Sequence, residues 1–339
     1  MVRVPTTPIT SSTAVRLTQT ASGGGCACKI PPGELEEMVA GLGTRTAPAD
    51  LLVGLEHGDD AAVVRLDGDR AVVATADFFT PVVDSAYDWG RIAATNAMSD
   101  VYAVGGEPLI GVNLLGWPRG ALDSGLAREV LRGGAEACAE AGCHLAGGHS
   151  IDAPEPTYGL AVTGVADPHR LLRLESGAAG LPLTLTKPLG AGVLNNRHKA
   201  TGEVFAHAVA SMSTLNRDAS RAALAAGLTC ATDVTGFGLL GHLWKLARAS
   251  GVSAVVDAGA VPYLEGARDS LAAGFVPGGS RRNLDWVRPH LIASVTDDEL
   301  VLLADAQTSG GLLVAGELPG HPVVGELVAS AGEPTITVR

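Results

Sequence analysis

Aromatic rings are scarce in this sequence. Phe, Tyr and Trp make up 4% of its 339 residues, against 46% for all apolar types together. Its cores must therefore be built chiefly from Ala, Val and Leu. Basic residues are short as well: 24 Lys and Arg face 36 Asp and Glu, for a formal charge of −12. That balance argues against nucleic acid and anionic membranes as partners, since both repel an acidic surface. No apolar run reaches the roughly 20 residues of a membrane span. The opening "MVRVPTTPITSSTAVRLTQTAS" has neither the apolar stretch nor the cleavage site of a secretory signal, so the expected setting is cytoplasmic. Five cysteines occur, Cys26, Cys28, Cys138, Cys143 and Cys230, and an odd count in so long a chain argues against a disulfide framework. The last three lie in Ala-rich surroundings and read as small buried apolar residues.

Glycine, by contrast, is abundant. The 44 glycines are about twice the usual share of roughly 7%, which points to tight turns and close backbone approaches. At roughly 150 residues per unit the length predicts two domains. The expected division is a tail with a glycine–cysteine loop and a short helix (1–48), a first domain (49–168) and a second α+β domain (179–339), joined through "DPHRLLRLESGAAGLP". "PPGELEEMVAGL" starts a helix, with proline in the first turn and acids complementing the dipole. Asp67-Gly68 marks a hairpin between β-rich halves. Helices are predicted over 88–104, 124–141, 204–226, 239–250 and 264–273, with strands in "HLAGGHSI", "YGLAVTGVAD", "LTLTKPL" and "VSAVVDAGAV" and a βα-type close. The elements mix without a strict βαβ rhythm, so α+β is the expected class. Strand-like runs ending in Asp, "TADFF" and "ATDVTGFG", recur in both halves and hint at two related units.

The chemistry-bearing residues are mostly aspartates. "HGDDAAV" holds Asp59 and Asp60, "ATADFF" holds Asp77, and "ATDVTGFG" holds Asp233. "ATNAMSD" places Asn96 and Asp100 four apart, on one helix face. These acids sit among small apolar residues, and a buried carboxylate without a partner is costly. Any one of them reads best as a turn or helix cap. Four such sites in one chain favour magnesium, a hard cation that joins carboxylates to phosphates. The glycine clusters "AGGHS", "GFG" and "TSGG" fit neither the Walker nor the Rossmann pattern, although their amides can still hold phosphate. The stretch "GGGCACK" is a poor zinc signature, because Cys26 and Cys28 have no second pair nearby. A single thiol nucleophile with Lys29 beside it is the better functional reading, since an ammonium favours the thiolate. On spacing alone, a flexible tail with incidental cysteines explains the stretch equally well.

Taken together, the motifs "GGGCACKI", "GDDAAV", "TADFFTPVVDSAYDWGRIAATNAMSDVYAVGG", "LAGGHSIDAPEP", "LTKPLG", "TDVTGFGLLGH" and "QTSGGLL" resemble the selenophosphate synthetase (selenide, water dikinase) family over nearly the whole chain. Aminoimidazole ribonucleotide synthetase, thiamine monophosphate kinase and a hydrogenase maturation factor share the scattered Asp and Gly pattern but lack the cysteine loop. The resemblance implies two related α+β domains of the aminoimidazole ribonucleotide synthetase-like type, the first forming a β-barrel in a homodimer. It implies ATP-dependent formation of selenophosphate, with orthophosphate and AMP as the other products. It implies Cys26 as the catalytic thiol on a mobile loop, Cys28 as a bystander and Lys29 as a phosphate contact. Asp60, Asp77, Asp100 and Asp233 are implied as magnesium ligands. His57, Gly58, Asp59, Asp77, Asp100, Gly148, His149 and Ser150 are implied as nucleotide contacts. A selenium-delivery protein is a further candidate partner. Two rival readings are a same-fold kinase of another substrate, which has no need of the Cys26 loop, and a selenium or metal carrier, which would not consume ATP.

Overall fold

The computed structural model describes residues 15–25, 29–39, 48–56 and 58–339. A first sheet is formed by β1 (Leu51–Val53), β2 (Ala62–Arg65), β3 (Ala71–Phe79), β4 (Glu107–Trp117), β5 (His144–Asp152) and β6 (Thr157–Ala166), in the order β1-β2-β3-β6-β4-β5. Helix α1 (Pro32–Val39) precedes it, and α2 (Ala86–Ala103) and α3 (Ser124–Ala141) cover one of its faces. The second sheet contains β7 (Pro182–Leu185), β8 (Ala231–Asp233), β9 (Val252–Val256), β10 (Leu291–Ala293), β11 (Leu312–Ala315), β12 (Val323–Ala329) and β13 (Ile336–Val338), in the order β10-β13-β9-β12-β7-β11-β8. Helices α4 (Ala191–Thr201), α5 (Ala206–Met212), α6 (Arg217–Ala225), α7 (Gly238–Ser250), α8 (Ala267–Ala272), α9 (Gly278–Val287) and α10 (Asp297–Leu303) complete this half. Both sheets are mainly antiparallel with a few parallel pairs, which is consistent with the α+β class.

Local signals explain the elements that place the site. Asp67-Gly68 turns β2 into β3, which pair antiparallel from Arg65↔Ala71 to Ala62↔Ala74. Ser85 caps α2 by accepting from Asp88 N, and Asp123 caps α3 by accepting from Gly125 N. The two helices pack closely because glycines meet backbone: a Cβ on Gly133 would lie 2.0 Å from Tyr87 O, and one on Gly90 1.9 Å from Val130 O. Along β3 the odd residues Ala71, Val73, Thr75 and Asp77 face α2, while Ala74, Ala76 and Phe78 are exposed on the other face. The cores are mainly aliphatic, with Ile92, Met98, Val101 and Leu160 in one and Leu183, Leu185, Leu240 and Leu313 in the other, although the few rings available are used inside, Trp89, Tyr102 and Tyr158 being fully buried in the first.

Several expectations need correction. The single helix expected over 204–226 is two, α5 and α6, parted by Ser213–Asn216. The break frees Thr214 O for Lys187 Nζ at 2.6 Å and sends Asn216 Nδ2 to Gly310 O at 2.8 Å. The closing stretch is two strands, β12 and β13, in place of a βα unit. Strand β4 and helices α4 and α9 had no counterpart in the sequence reading. The first sheet is open, with β1 and β5 as its edges, so this single chain does not form a closed barrel.

Candidate active site

The acids meet where the two sheets face each other across α2. Asp77 on β3 accepts from Asn96 Nδ2 at 2.6 Å, and Asp100 accepts from Thr75 Oγ1 at 2.5 Å. These bonds tie β3 to one face of α2, the face that the four-residue spacing of Asn96 and Asp100 creates. From the second sheet, Asp233 at the end of β8 accepts from Ser99 Oγ at 2.6 Å. Asp60, in the turn before β2, accepts from Thr232 Oγ1 at 3.2 Å. Its other oxygen, Oδ2, is buried and has no hydrogen-bond partner among the described residues. Ligand atoms of Asp60, Asp233 and His242 lie within 4.8 Å of one another.

So much buried negative charge perturbs Asp60, Asp100 and Asp233. Burial, then the charge of Asp59, pushes Asp60 up to about 6. Burial, then the charge of Asp60, pushes Asp233 up to about 7. Asp100 is raised well above the usual carboxylate range by burial and by Asp233, Asp77 and Asp60. Such a set holds its negative form at neutral pH only with cations beside it. Lys29 supplies one, its Nζ 3.8 Å from Asp77 Oδ2 and 5.9 Å from the centre of the Phe237 ring. Lys245 stands 5.8 Å from the same ring and draws Asp59 and Asp60 downward. The carboxylates offer oxygen only, the donor type a hard dication prefers, and the orphaned Asp60 oxygen fits a magnesium ion as its partner. His242 is less suited to the same ion. Its Nε2 accepts from Thr235 N at 3.2 Å, and burial holds it neutral by lowering its pKa well below the ordinary value.

A second layer escaped sequence reasoning. Ser309 donates its N–H to Asn96 Oδ1 at 2.8 Å, which leaves the Asn96 amide donor facing Asp77. Among the described residues Ser309 is also the non-glycine residue held at positive φ, 50°, a strain of about 1–3 kcal/mol that its surroundings must impose. Its carbonyl accepts from buried Lys187 Nζ at 2.9 Å. In parallel, Asn216 Nδ2 bridges Ser99 Oγ at 2.9 Å and Gly310 O at 2.8 Å. The "TSGG" segment is thus tied to both Asp77 and Asp233. The "TSGG" cluster and a lysine inside the apolar run "LTLTKPL" were the available signals, whereas Ser99 and Asn216 offered none.

The other anticipated residues lie elsewhere or are not described. Cys26, Cys28 and His57 lie outside the described residues. Gly58 and Asp59 occupy the turn before Asp60, and Asp59 spends its oxygens on Asp60 N at 2.9 Å and Leu174 N at 3.3 Å. Gly148, His149 and Ser150 are exposed on edge strand β5. Strands β4 and β6 separate them from β3, about 14 Å at the usual strand spacing. One chain therefore does not bring this triplet to the acids. Gly25 lies close to the cluster's rim: it donates to Thr80 O at 3.3 Å, its φ is 59°, and a Cβ there would lie 2.6 Å from Thr308 Oγ1. A cavity of about 460 Å³ opens beside Gly23, Gly24 and Thr308. Cys138, Cys143 and Cys230 are buried free thiols, as expected.

Residues 58–166 match the family model described as AIR synthase related protein, N-terminal domain, and residues 178–332 match its C-terminal domain. The selenide, water dikinase of Bordetella bronchiseptica is 53% identical over 95% of this chain and 93% of its own. That of Pseudomonas putida is 51% identical over the same shares. The chain belongs to the selenide, water dikinase family. Solved structures show how widely the dikinase fold is shared. AaThiL complexed with AMPPCP and TMP superposes with a TM-score of 0.67 at 17% identity, covering 90% of this chain and 92% of that one. The hydrogenase maturation protein HypE gives a TM-score of 0.61 at 18% identity, covering 81% and 85%. Among the described residues no helix is long and apolar enough to cross a membrane.

Proposed function

We infer that this chain is a selenide, water dikinase that makes selenophosphate from selenide and ATP, with its phosphate chemistry centred on the acid cluster between the two sheets. The relatives carry the activity. The observation that supports placing it there is the buried, mutually repelling set Asp60, Asp100 and Asp233, with Asp77 and Lys29 at its rim. These four aspartates would hold magnesium, which when bound neutralises and positions the ATP phosphates. Lys29 offers a point charge to the same polyphosphate. Cys26, three residues before Lys29, presents hydroselenide to the γ-phosphorus. The bond from that phosphorus to the bridging oxygen breaks as the selenium–phosphorus bond forms. Water then attacks the remaining diphosphate, releasing orthophosphate and AMP.

The finer assignments are part of the same proposal. His57, Gly58 and Asp59 contact the nucleotide from the turn before β2. The exposed face of the first sheet carries Val64, Phe78, Ile110, Ile151 and Val165 in the open. Isolated surface apolars are ordinary, but this row lies along one sheet face and suits a second copy of the chain. We assign the homodimer and its barrel to that face. Gly148, His149 and Ser150 would then reach nucleotide from an assembled pair. Residues 49–168 and 179–339 are taken as the two domains, each built on its own sheet, although the first apolar cluster also takes in Leu194, Met212 and Leu264 from the second. Free thiols and ATP as substrate suit a cytoplasmic setting.

The test is calorimetric titration of Asp233→Asn with ATP in the presence and absence of magnesium. The expected result is loss of the magnesium-dependent gain in ATP affinity seen for the unaltered chain. An unchanged magnesium dependence would remove the seam as the metal–phosphate site.

A further inference from the structure

We propose that Lys199 is a positioning residue for the cysteine loop. Lys199 sits in the last turn of α4 and directs its ammonium at the chain entering that loop. Nζ donates to Ala21 O at 2.8 Å, Ser22 O at 3.2 Å and Gly23 O at 2.9 Å. An ammonium has three N–H groups, and all three are used on consecutive carbonyls. Among the described residues no carboxylate lies within ion-pair distance of Lys199, so carbonyl dipoles balance its charge. The grip is reciprocal. Arg16 Nη2 donates to His198 O at 2.6 Å and Lys199 O at 3.2 Å, and Gln19 Nε2 also donates to Lys199 O. Asp84 locks the same corner, accepting from Arg16 Nε at 2.6 Å and from Thr18 N at 2.9 Å.

The consequence follows from chain length. The Lys199 anchor ends at Gly23, Gly25 is tied to Thr80 O at 3.3 Å, and Lys29 stands 3.8 Å from Asp77. Cys26 is the residue immediately after the second of these anchors. Fixing residues 21–23 sets where the chain enters the cysteine loop, and the bonds of Lys199 run to neither the acids nor Lys29. Loss of the ammonium should therefore affect selenide use and leave magnesium–ATP binding alone. This inference rests on the reading of Cys26 as the selenium-handling thiol.

The experiment compares the full chain with Lys199→Met, which keeps the length of the side chain, and Lys199→Arg, which keeps its charge. Four quantities are read: kcat with selenide, Kd for ATP with magnesium, melting temperature, and the rate at which iodoacetamide alkylates Cys26 in a Cys28→Ser background. For Lys199→Met we expect kcat to fall by about a hundredfold, the scale of a 1 Å misplacement. Kd should stay within about twofold, and alkylation of Cys26 should change rate by at least about threefold, with Lys199→Arg recovering most of both. Unchanged kcat and alkylation would overturn the proposal. So would a loss of activity that tracks a lowered melting temperature and disappears on cooling. If Cys26→Ser retains selenide turnover, the Cys26 reading fails separately, and the alkylation rate still decides whether Lys199 places the loop.

Discussion

At the scale of single residues, the account turns on carboxylates that repel one another. Asp100→Asn keeps the size of the side chain but removes one charge from a group raised by burial and three neighbouring acids. It should lower AMP formation by at least about a hundredfold, as loss of a metal-site carboxylate does. The same variant should unfold at a higher temperature than the unaltered chain when magnesium is withheld, because Asn neither takes up a proton nor holds a repelled charge on folding. Scanning calorimetry with and without magnesium checks this; a lowered melting temperature without metal would contradict it. Lys187 gives a prediction with a defined sign. Burial holds it down at about 7 from its ordinary 10.5. Between those values the unfolded chain binds more protons than the folded one, so stability from this group rises with pH across that window. At about 1.4 kcal/mol per pKa unit the shift amounts to several kcal/mol. The stability of the unaltered chain relative to Lys187→Met, read from denaturant curves, should therefore rise from pH 7 to pH 10 and stay flat below about pH 6. The acids were legible in sequence because each is an aspartate stranded among small apolar neighbours. Ser309 and Asn216 were not, because their parts depend on backbone groups of segments far away in the chain.

At the scale of elements, α2 decides the site. It carries Asn96, Ser99 and Asp100, reaching Asp77 from one sheet and Asp233 from the other. Its placement depends on contact with α3, where a Cβ on Gly133 would meet Tyr87 O at 2.0 Å. Gly133→Ala must push the helices apart, since the obstacle is backbone. Overpacking of this kind costs about 1–3 kcal/mol. Urea unfolding should show a loss of that size, and ATP affinity with magnesium should weaken as α2 shifts. Full stability in the variant would mean that the glycine contact does not set the helix spacing. Helices 88–104 and 124–141 could be read from sequence because caps and apolar spacing agree there. The break between α5 and α6 could not, because it exists to serve Lys187 and Gly310 across the fold. Strand β4 lies between β6 and β5, and nothing in its sequence names those neighbours.

At the scale of the whole molecule, the chain joins two sheets at a shared acidic seam and leaves one face of the first sheet open. The weak repeat seen in sequence, an Asp closing a strand in each half, acquires a reason: Asp77 and Asp233 are the paired contributions of the two sheets to that seam. If the open face binds a second copy, Phe78→Glu combined with Val165→Glu should halve the mass seen by light scattering; an unchanged dimer would place the interface elsewhere. The most direct test of the account is anaerobic phosphorus NMR of the purified chain with ATP, magnesium, selenide and a thiol reductant. A new phosphorus resonance with selenium satellites, growing with equal amounts of AMP and orthophosphate, is the result predicted. ADP as the end product, or ATP left intact at every magnesium concentration tried, would contradict it.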